Sequence, residues 1–222
     1  KKNDGNMFVK QSFKKNASLA VVNRIQKNLN IKRQIKVKNS LRFLSDVSKI
    51  FRKNIDTKII AVTGSCGKTS LKELLGSSLR KISRTSISPK SYNNKYGVPL
   101  SLFNISQSDT YGVLELGMDK KGEIDYLSKI VQPDISVITN INYAHAKNFN
   151  NIKQIALAKA EIIKNTRSNG FIVLNADDNF FSLHRKIALK NKLNVISFGI
   201  KSKNSDIKLI NIKKKNKNFK IL

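Results

Sequence analysis

The sequence predicts an α/β protein: a mostly parallel, P-loop-type sheet with helices on both faces, preceded by part of a small α/β domain. Three observations carry this reading. From about residue 57 onward, short apolar runs rich in Ile and Val alternate with stretches of helical periodicity, the pattern of strand–helix–strand units. The first such run ends in a glycine-rich turn, Gly64-Ser65-Cys66-Gly67, which feeds directly into a helix. Residues able to carry chemistry then fall just after the strands, where ligands of open parallel sheets sit.

Taken in order, residues 8–16 and 40–51 read as helices, with short strands at 19–22 and 35–37 between them. Residues 1–54 are expected to form a separate, incomplete small domain. Lys58-Ile59-Ile60-Ala61-Val62-Thr63 is a buried strand, and 68–82 a helix through Leu71, Leu74, Leu75 and Leu79. A second strand covers 111–116, followed by a helix at 122–131 that Pro133 stops. Strands at 135–139, 171–174 and 194–198 alternate with helices at 151–164 and 180–190. No internal repeat or low-complexity linker interrupts the chain.

Charge and cysteine content exclude some classes. A net charge of +29 suggests a nucleic-acid partner, but lysine is dispersed among Asn and Ile along the whole chain. No basic stripe with interleaved aromatics marks a single-strand binder, and Lys213-Lys214-Lys215 reads as solvated surface. The expectation is therefore no nucleic acid, with a basic surface that attracts nucleotides. The single cysteine, Cys66, forbids an intrachain disulfide and suits a reducing cytoplasm. No apolar run approaches the roughly 20 residues of a membrane helix, and no signal peptide is visible, so stable membrane insertion is not expected.

Thr63-Gly64-Ser65-Cys66-Gly67-Lys68-Thr69-Ser70 is the strongest chemical signal. A strand, a glycine turn and a helix N-terminus aim backbone N–H groups at one point, which suits a phosphate. Lys68 adds a mobile cation for β- and γ-phosphates, and Thr69 offers a hydroxyl to Mg²⁺. Val62 stands where the longer form of the loop has its first glycine. Glu115, at a strand end, is a candidate Mg²⁺ ligand or a solvated cap. His145 is a candidate metal ligand, whereas His184, mid-helix beside Arg185, reads as surface. Lys159 sits on an otherwise apolar helix, and Asn175-Ala176-Asp177-Asp178 reads as a helix cap or a nucleotide contact.

Taken with Tyr92-Asn93-Asn94-Lys95-Tyr96-Gly97-Val98-Pro99-Leu100, Glu115-Leu116-Gly117-Met118 and Gly122-Glu123-Ile124, these segments resemble, in order, the Mur ligase family. Ile138-Thr139-Asn140 with Ala144-His145, Ala158-Lys159-Ala160-Glu161-Ile162 and Leu174-Asn175-Ala176-Asp177-Asp178 continue the resemblance. Asp4-Gly5-Asn6-Met7-Phe8 and residues 17–22 extend it towards the start of the chain. It implies that 1–54 is part of an N-terminal substrate-binding domain and 55–222 an incomplete central ATP-binding domain, with a C-terminal domain absent. It further implies a cytoplasmic, monomeric bacterial enzyme of peptidoglycan precursor synthesis, using ATP and two Mg²⁺ ions. The Asn93-Asn94…Gly97-Val98-Pro99 segment favours the member that joins D-Ala-D-Ala to UDP-MurNAc-tripeptide through an acyl phosphate.

In that reading Gly64, Ser65, Cys66, Gly67, Lys68, Thr69 and Ser70 bind the nucleotide phosphates, with Asn94, Asn140 and Asn175 lining the crevice. Lys68 stabilises the transferring phosphoryl group, Thr69 and Glu115 hold one Mg²⁺, and His145 holds a second with Lys159 carbamylated by CO₂. Two positions depart from the family: Cys66 replaces a small polar residue, and Lys147 stands where an acidic residue is common. The chain alone is expected to bind nucleotide weakly and to be inactive or weakly active. A sister ligase adding one amino acid, a folylpolyglutamate synthetase-like ligase and, further off, a nucleic-acid-linked P-loop ATPase are the alternatives.

Overall fold

The computed structural model describes residues 4–143, 148–210, 212–215 and 218–221. The chain divides into two compact units, Lys1–Val47 and Ser48–Leu222. In the first, a 3₁₀ turn at Gly5–Phe8, capped by the Asp4 carboxylate, leads into α1 (Val9–Lys14). Strands β1 (Ala20–Val22) and β2 (Gln34–Lys36) pair in parallel. The Arg33 guanidinium lies 4.6 Å over the Phe13 ring. Helix α2 (Ser40–Lys53) runs from this unit into the next.

The second unit follows the predicted alternation. Its elements are β3 (Lys58–Thr63), α3 (Lys68–Leu79), β4 (Thr85–Ile87), α4 (Gly97–Phe103), β5 (Tyr111–Glu115), α5 (Glu123–Val131) and β6 (Ile135–Ile138), then α6 (Ile152–Lys159), α7 (Glu161–Asn165), β7 (Phe171–Asn175), α8 (Phe181–Lys190), β8 (Asn194–Gly199) and β9 (Ile207–Lys208). The seven strands form one sheet, every neighbouring pair parallel, in the order β4-β5-β3-β6-β7-β8-β9. A separate antiparallel pair, β10 (Ile212–Lys215) and β11 (Asn218–Ile221), closes the described chain.

Alternation along β3 decides which helix covers which face. Ile60 and Val62 point to a small cluster with Val113 and Val137, covered by Leu71, Leu75 and Leu79 of α3. Ile59 and Ala61 point the other way, into a large cluster built from α4, α5, α6, α7 and α8. Strand order reverses at β3: β4 and β5 lie on one side of it and β6 on the other. That reversal opens a crevice at the carboxyl end of β3, where the glycine loop begins.

Four features differ from the sequence expectation. The helix over 68–82 ends at Leu79. The single helix over 151–164 is two helices, broken at Ala160, because Glu161 turns across to the start of α5 and accepts from the N–H groups of Gly122 and Asp125. Strands β4, β9, β10 and β11 and helix α4 were not anticipated: β4 and β9 are only three and two residues long, and Gly97 and Pro99 mask the helix. His184 is not a surface residue: it is 2% exposed, on the inner face of α8, with Nε2 3.1 Å from the Ala156 carbonyl oxygen. Burial holds its pKa below the ordinary histidine value.

The amino end of the sheet is closed by charge. Arg52 is fully buried and donates to the carbonyls of Val131, Ile55, Thr57 and Gln132 and, at 2.8 Å, to Asp134. Asp134 also accepts from Arg167 and from the N–H of Ile59, which fixes the start of β3 against β6.

Candidate nucleotide site

The loop after β3 is shaped by one glycine above all. Gly64 has φ +144°, and a Cβ there would lie 1.9 Å from the Thr139 hydroxyl, so any larger residue would push the loop off β6. The loop is then laced to the chain leaving β6. Ser65 N–H donates to the Asn140 carbonyl, its hydroxyl donates to the Asn142 carbonyl, and it accepts from the Asn142 N–H. Cys66 N–H donates to Asn140 Oδ1, while its carbonyl accepts from Thr139 Oγ1 and Asn140 Nδ2. The N–H groups of Ser65 and Cys66 therefore face protein. The cradle for an anion is the first turn of α3, where the N–H groups of Lys68, Thr69 and Ser70 have no intrahelical acceptor.

Lys68 folds back over this turn, its Nζ 3.0 Å from the Gly64 carbonyl and 3.3 Å from that of Ser65. Both acceptors are neutral, and no carboxylate pairs with Lys68 among the described residues. Thr69 Oγ1 donates to Glu115 Oε2 at 2.7 Å. Glu115, 2% exposed at the end of β5, also accepts from Asn93 Nδ2 at 2.8 Å. A hydroxyl and a carboxylate beside a phosphate cradle are hard oxygen donors of the kind Mg²⁺ takes in twos, its other positions going to water and phosphate. The donor set thus fits one Mg²⁺. Among the described residues no cluster of three His, Cys, Asp or Glu forms a self-sufficient metal site.

Lys159, at the end of α6, is 2% exposed. No carboxylate pairs with it among the described residues. Burial, reinforced by the nearby Lys68 charge and opposed by Cys66, lowers its pKa to about 7. A sizeable fraction is therefore a neutral amine near neutral pH. His145, the other expected metal ligand, lies outside the described residues, as does Lys147.

The three expected crevice asparagines turn out to brace the backbone. Asn94 Oδ1 accepts from the N–H groups of Tyr96 and Gly97 and starts α4. Asn140 clamps Cys66. Asn175 accepts from the Asp177 N–H and donates to the Thr139 carbonyl. Asp178 accepts from the N–H groups of Ile141 and Phe180, and Asp177 from those of Ile200, Lys201 and Ser202, which lowers its pKa. Cys66 and Ser70 are exposed at the loop and first helical turn. Sequence reasoning missed Asn93 as the partner of Glu115, although the quoted motif contains it.

A parallel sheet whose glycine loop, cationic lysine and Thr–Glu oxygen pair meet at the strand-order reversal defines a phosphate-loop nucleotide-binding protein. More narrowly, the chain belongs to the Mur ligase family: the Mur ligase middle domain matches residues 62–222. It is 38% identical over 206 residues to the UDP-N-acetylmuramoyl-tripeptide–D-alanyl-D-alanine ligase of Buchnera aphidicola, covering 91% of this chain and 44% of that protein. Its fold matches the crystal structure of MurF from Acinetobacter baumannii at a TM-score of 0.86 and 33% identity, covering 96% of this chain and 46% of that one. MurF ligase from Thermotoga maritima, in complex with ADP, matches at 0.86 and 28% identity, covering 100% of this chain and 50% of that one. The chain thus spans about half the length of these relatives or less.

Proposed function

We propose that this chain is the nucleotide-binding core of an ATP-dependent ligase that joins D-Ala-D-Ala to UDP-MurNAc-tripeptide. Residues 55–222 supply the ATP-binding domain and residues 1–54 part of the substrate-binding domain. The observation that carries the reading is the 2.7 Å contact between Thr69 and Glu115 beside Lys68 at the mouth of the loop. The names borne by the similar proteins supply the substrate pair.

The terminal carboxylate of the tripeptide attacks the γ-phosphorus, the bond to the bridging oxygen breaks, and ADP leaves with that electron pair. Lys68 swings from the Gly64 and Ser65 carbonyls to the γ-phosphate, where its charge stabilises the transferring group. The first-turn N–H groups of α3 hold the β-phosphate. Thr69 and Glu115 would hold Mg²⁺, which screens charge between the β- and γ-phosphates when bound. The D-Ala-D-Ala amine then attacks the acyl carbon, the C–N bond forms, the C–O bond breaks, and inorganic phosphate departs as the amine loses a proton. Lys159, in its neutral form, reacts with CO₂ to give a carbamate and a proton, turning a buried cation into an oxygen ligand.

The test is turnover by the protein that contains this chain. With ATP, UDP-MurNAc-tripeptide and D-Ala-D-Ala it should release phosphate, and ¹⁸O from the tripeptide carboxylate should appear in that phosphate. Use of diaminopimelate, lysine or glutamate in place of D-Ala-D-Ala would reassign it to a sister ligase. Nucleic-acid-stimulated ATP hydrolysis without ligation would overturn the reading.

A further inference from the structure

Lys72 is fully buried in α3, one turn beyond Lys68, and the proposed chemistry does not use it. Its ammonium donates to the Ser88 carbonyl at 2.7 Å and the Lys90 carbonyl at 2.6 Å, and lies 3.0 Å from Glu73 Oε1. Three N–H groups thus meet three acceptors, an arrangement that fixes an ammonium in one geometry. Lys90 has φ +44°, in the left-handed region that a non-glycine residue seldom adopts. Its carbonyl is turned in towards Lys72 all the same.

The peptide held this way leads to Asn93. The Asn93 carbonyl accepts from the Gly117 N–H at 2.8 Å, and its amide donates to Glu115. Gly117 is a close approach: a Cβ there would lie 2.8 Å from Asn93 Cγ. Ser88 Oγ accepts from the Glu115 N–H. A ring therefore closes, from Lys72 through residues 88–93 to Glu115 and back through Thr69 to α3.

We propose that Lys72 is a positioning residue: by holding the Ser88–Lys90 turn to α3, it places Asn93 so that Glu115 presents its second oxygen beside Thr69. The proposal rests on the nucleotide–Mg²⁺ reading above. Asn93, the partner that directly contacts the Glu115 carboxylate, is of the kind worth about 10–100-fold in metal affinity, and Lys72 acts through it.

The experiment is calorimetric titration of ADP into the protein that contains this chain, with and without Mg²⁺. In Lys72→Met, the tightening of ADP by Mg²⁺ should fall about tenfold or more, while Mg²⁺-free affinity stays within about twofold. Asn93→Ala should show the same loss, and the double variant no more than Asn93→Ala alone. Lys72→Gln, which keeps two N–H donors but loses the charge and some reach, should fold where Met fails and show a partial loss. Parallel losses with and without Mg²⁺, additive losses in the double variant, or no loss would overturn the positioning role. A wild-type chain whose ADP affinity ignores Mg²⁺ would overturn the nucleotide–Mg²⁺ reading, and this proposal with it.

Discussion

The two ends of the parallel sheet handle charge in opposite ways. At the amino end, the Arg52 guanidinium is buried against four carbonyls and one carboxylate, and Asp134 accepts from Arg52, Arg167 and a backbone N–H. Three cations, Arg52, Arg167 and Lys58, gather there on the one Asp134 carboxylate. At the carboxyl end, among the described residues, Glu115 receives only neutral donors, Lys68 rests on carbonyls, and Lys159 is buried without a carboxylate. Charges compensated within the fold hold elements in register. Charges left uncompensated are free to meet a ligand, and the fold supports their desolvation with the rest of its core.

The largest expected effect breaks the closed end. Asp134→Asn leaves the buried Arg52 cation without its counter-charge and should cost about 3–5 kcal/mol in urea unfolding. ADP affinity of the folded fraction should stay within about twofold. A cost under about 1 kcal/mol would mean that the two ends are not different in kind.

The next prediction uses pH. Lys159 has a folded pKa of about 7, below the ordinary lysine value. Between those two values the unfolded chain keeps a proton that the folded chain has lost, so stability should rise with pH, by at most about 1.4 kcal/mol per unit. Below pH 7 both states hold the proton and the burial penalty is constant. Lys159→Met removes both the penalty and the slope. It should stabilise the chain most at low pH, with the difference from wild type shrinking as pH rises. An unchanging difference across that range would refute an unpaired, buried Lys159.

At the open end, Lys68→Met should weaken ADP binding by roughly 1.5–3 kcal/mol, the worth of a hydrogen bond to a charged group, with unfolding free energy changed by under about 0.5 kcal/mol. Equal losses of binding and stability would make Lys68 part of the scaffold. The smallest effect sharpens the loop itself. Cys66→Ser should leave ADP affinity within about twofold, because Asn140 and Thr139 hold this peptide through its backbone. Alkylation of the exposed wild-type thiol should block ADP binding, with ADP protecting; full modification without effect would place the side chain away from the ligand.

Legibility followed element length and contrast. Lys58–Thr63, Tyr111–Glu115 and Ile135–Ile138 were plain because a run buried on both faces is nearly all apolar. Thr85–Ile87 and Ile207–Lys208 are too short for any period to show, and Gly97–Phe103 hides its helix behind Gly97 and Pro99. His184 had a usable signal, since Phe181, His184 and Ala188 fall on one helical face, but the adjacent Arg185 pointed to solvent. Arg52, Asp134 and Lys72 had almost none. In a chain with 43 basic residues, no local pattern marks Arg52 or Lys72 as buried.

What the sequence by itself determined was the strand–loop–helix order and the identity of the phosphate loop. Both depend on neighbours within a few residues: apolar period, glycine freedom and a helix start. Only the tertiary structure decided that the Ser65 and Cys66 N–H groups turn to Asn140, that Asn93 rather than Asn94 meets Glu115, and that Lys159 titrates near 7. Those outcomes depend on residues from 22 to more than 90 positions apart, brought together by strand order. Burial and the field of distant charges, which set them, are properties of the packed chain and of no segment within it.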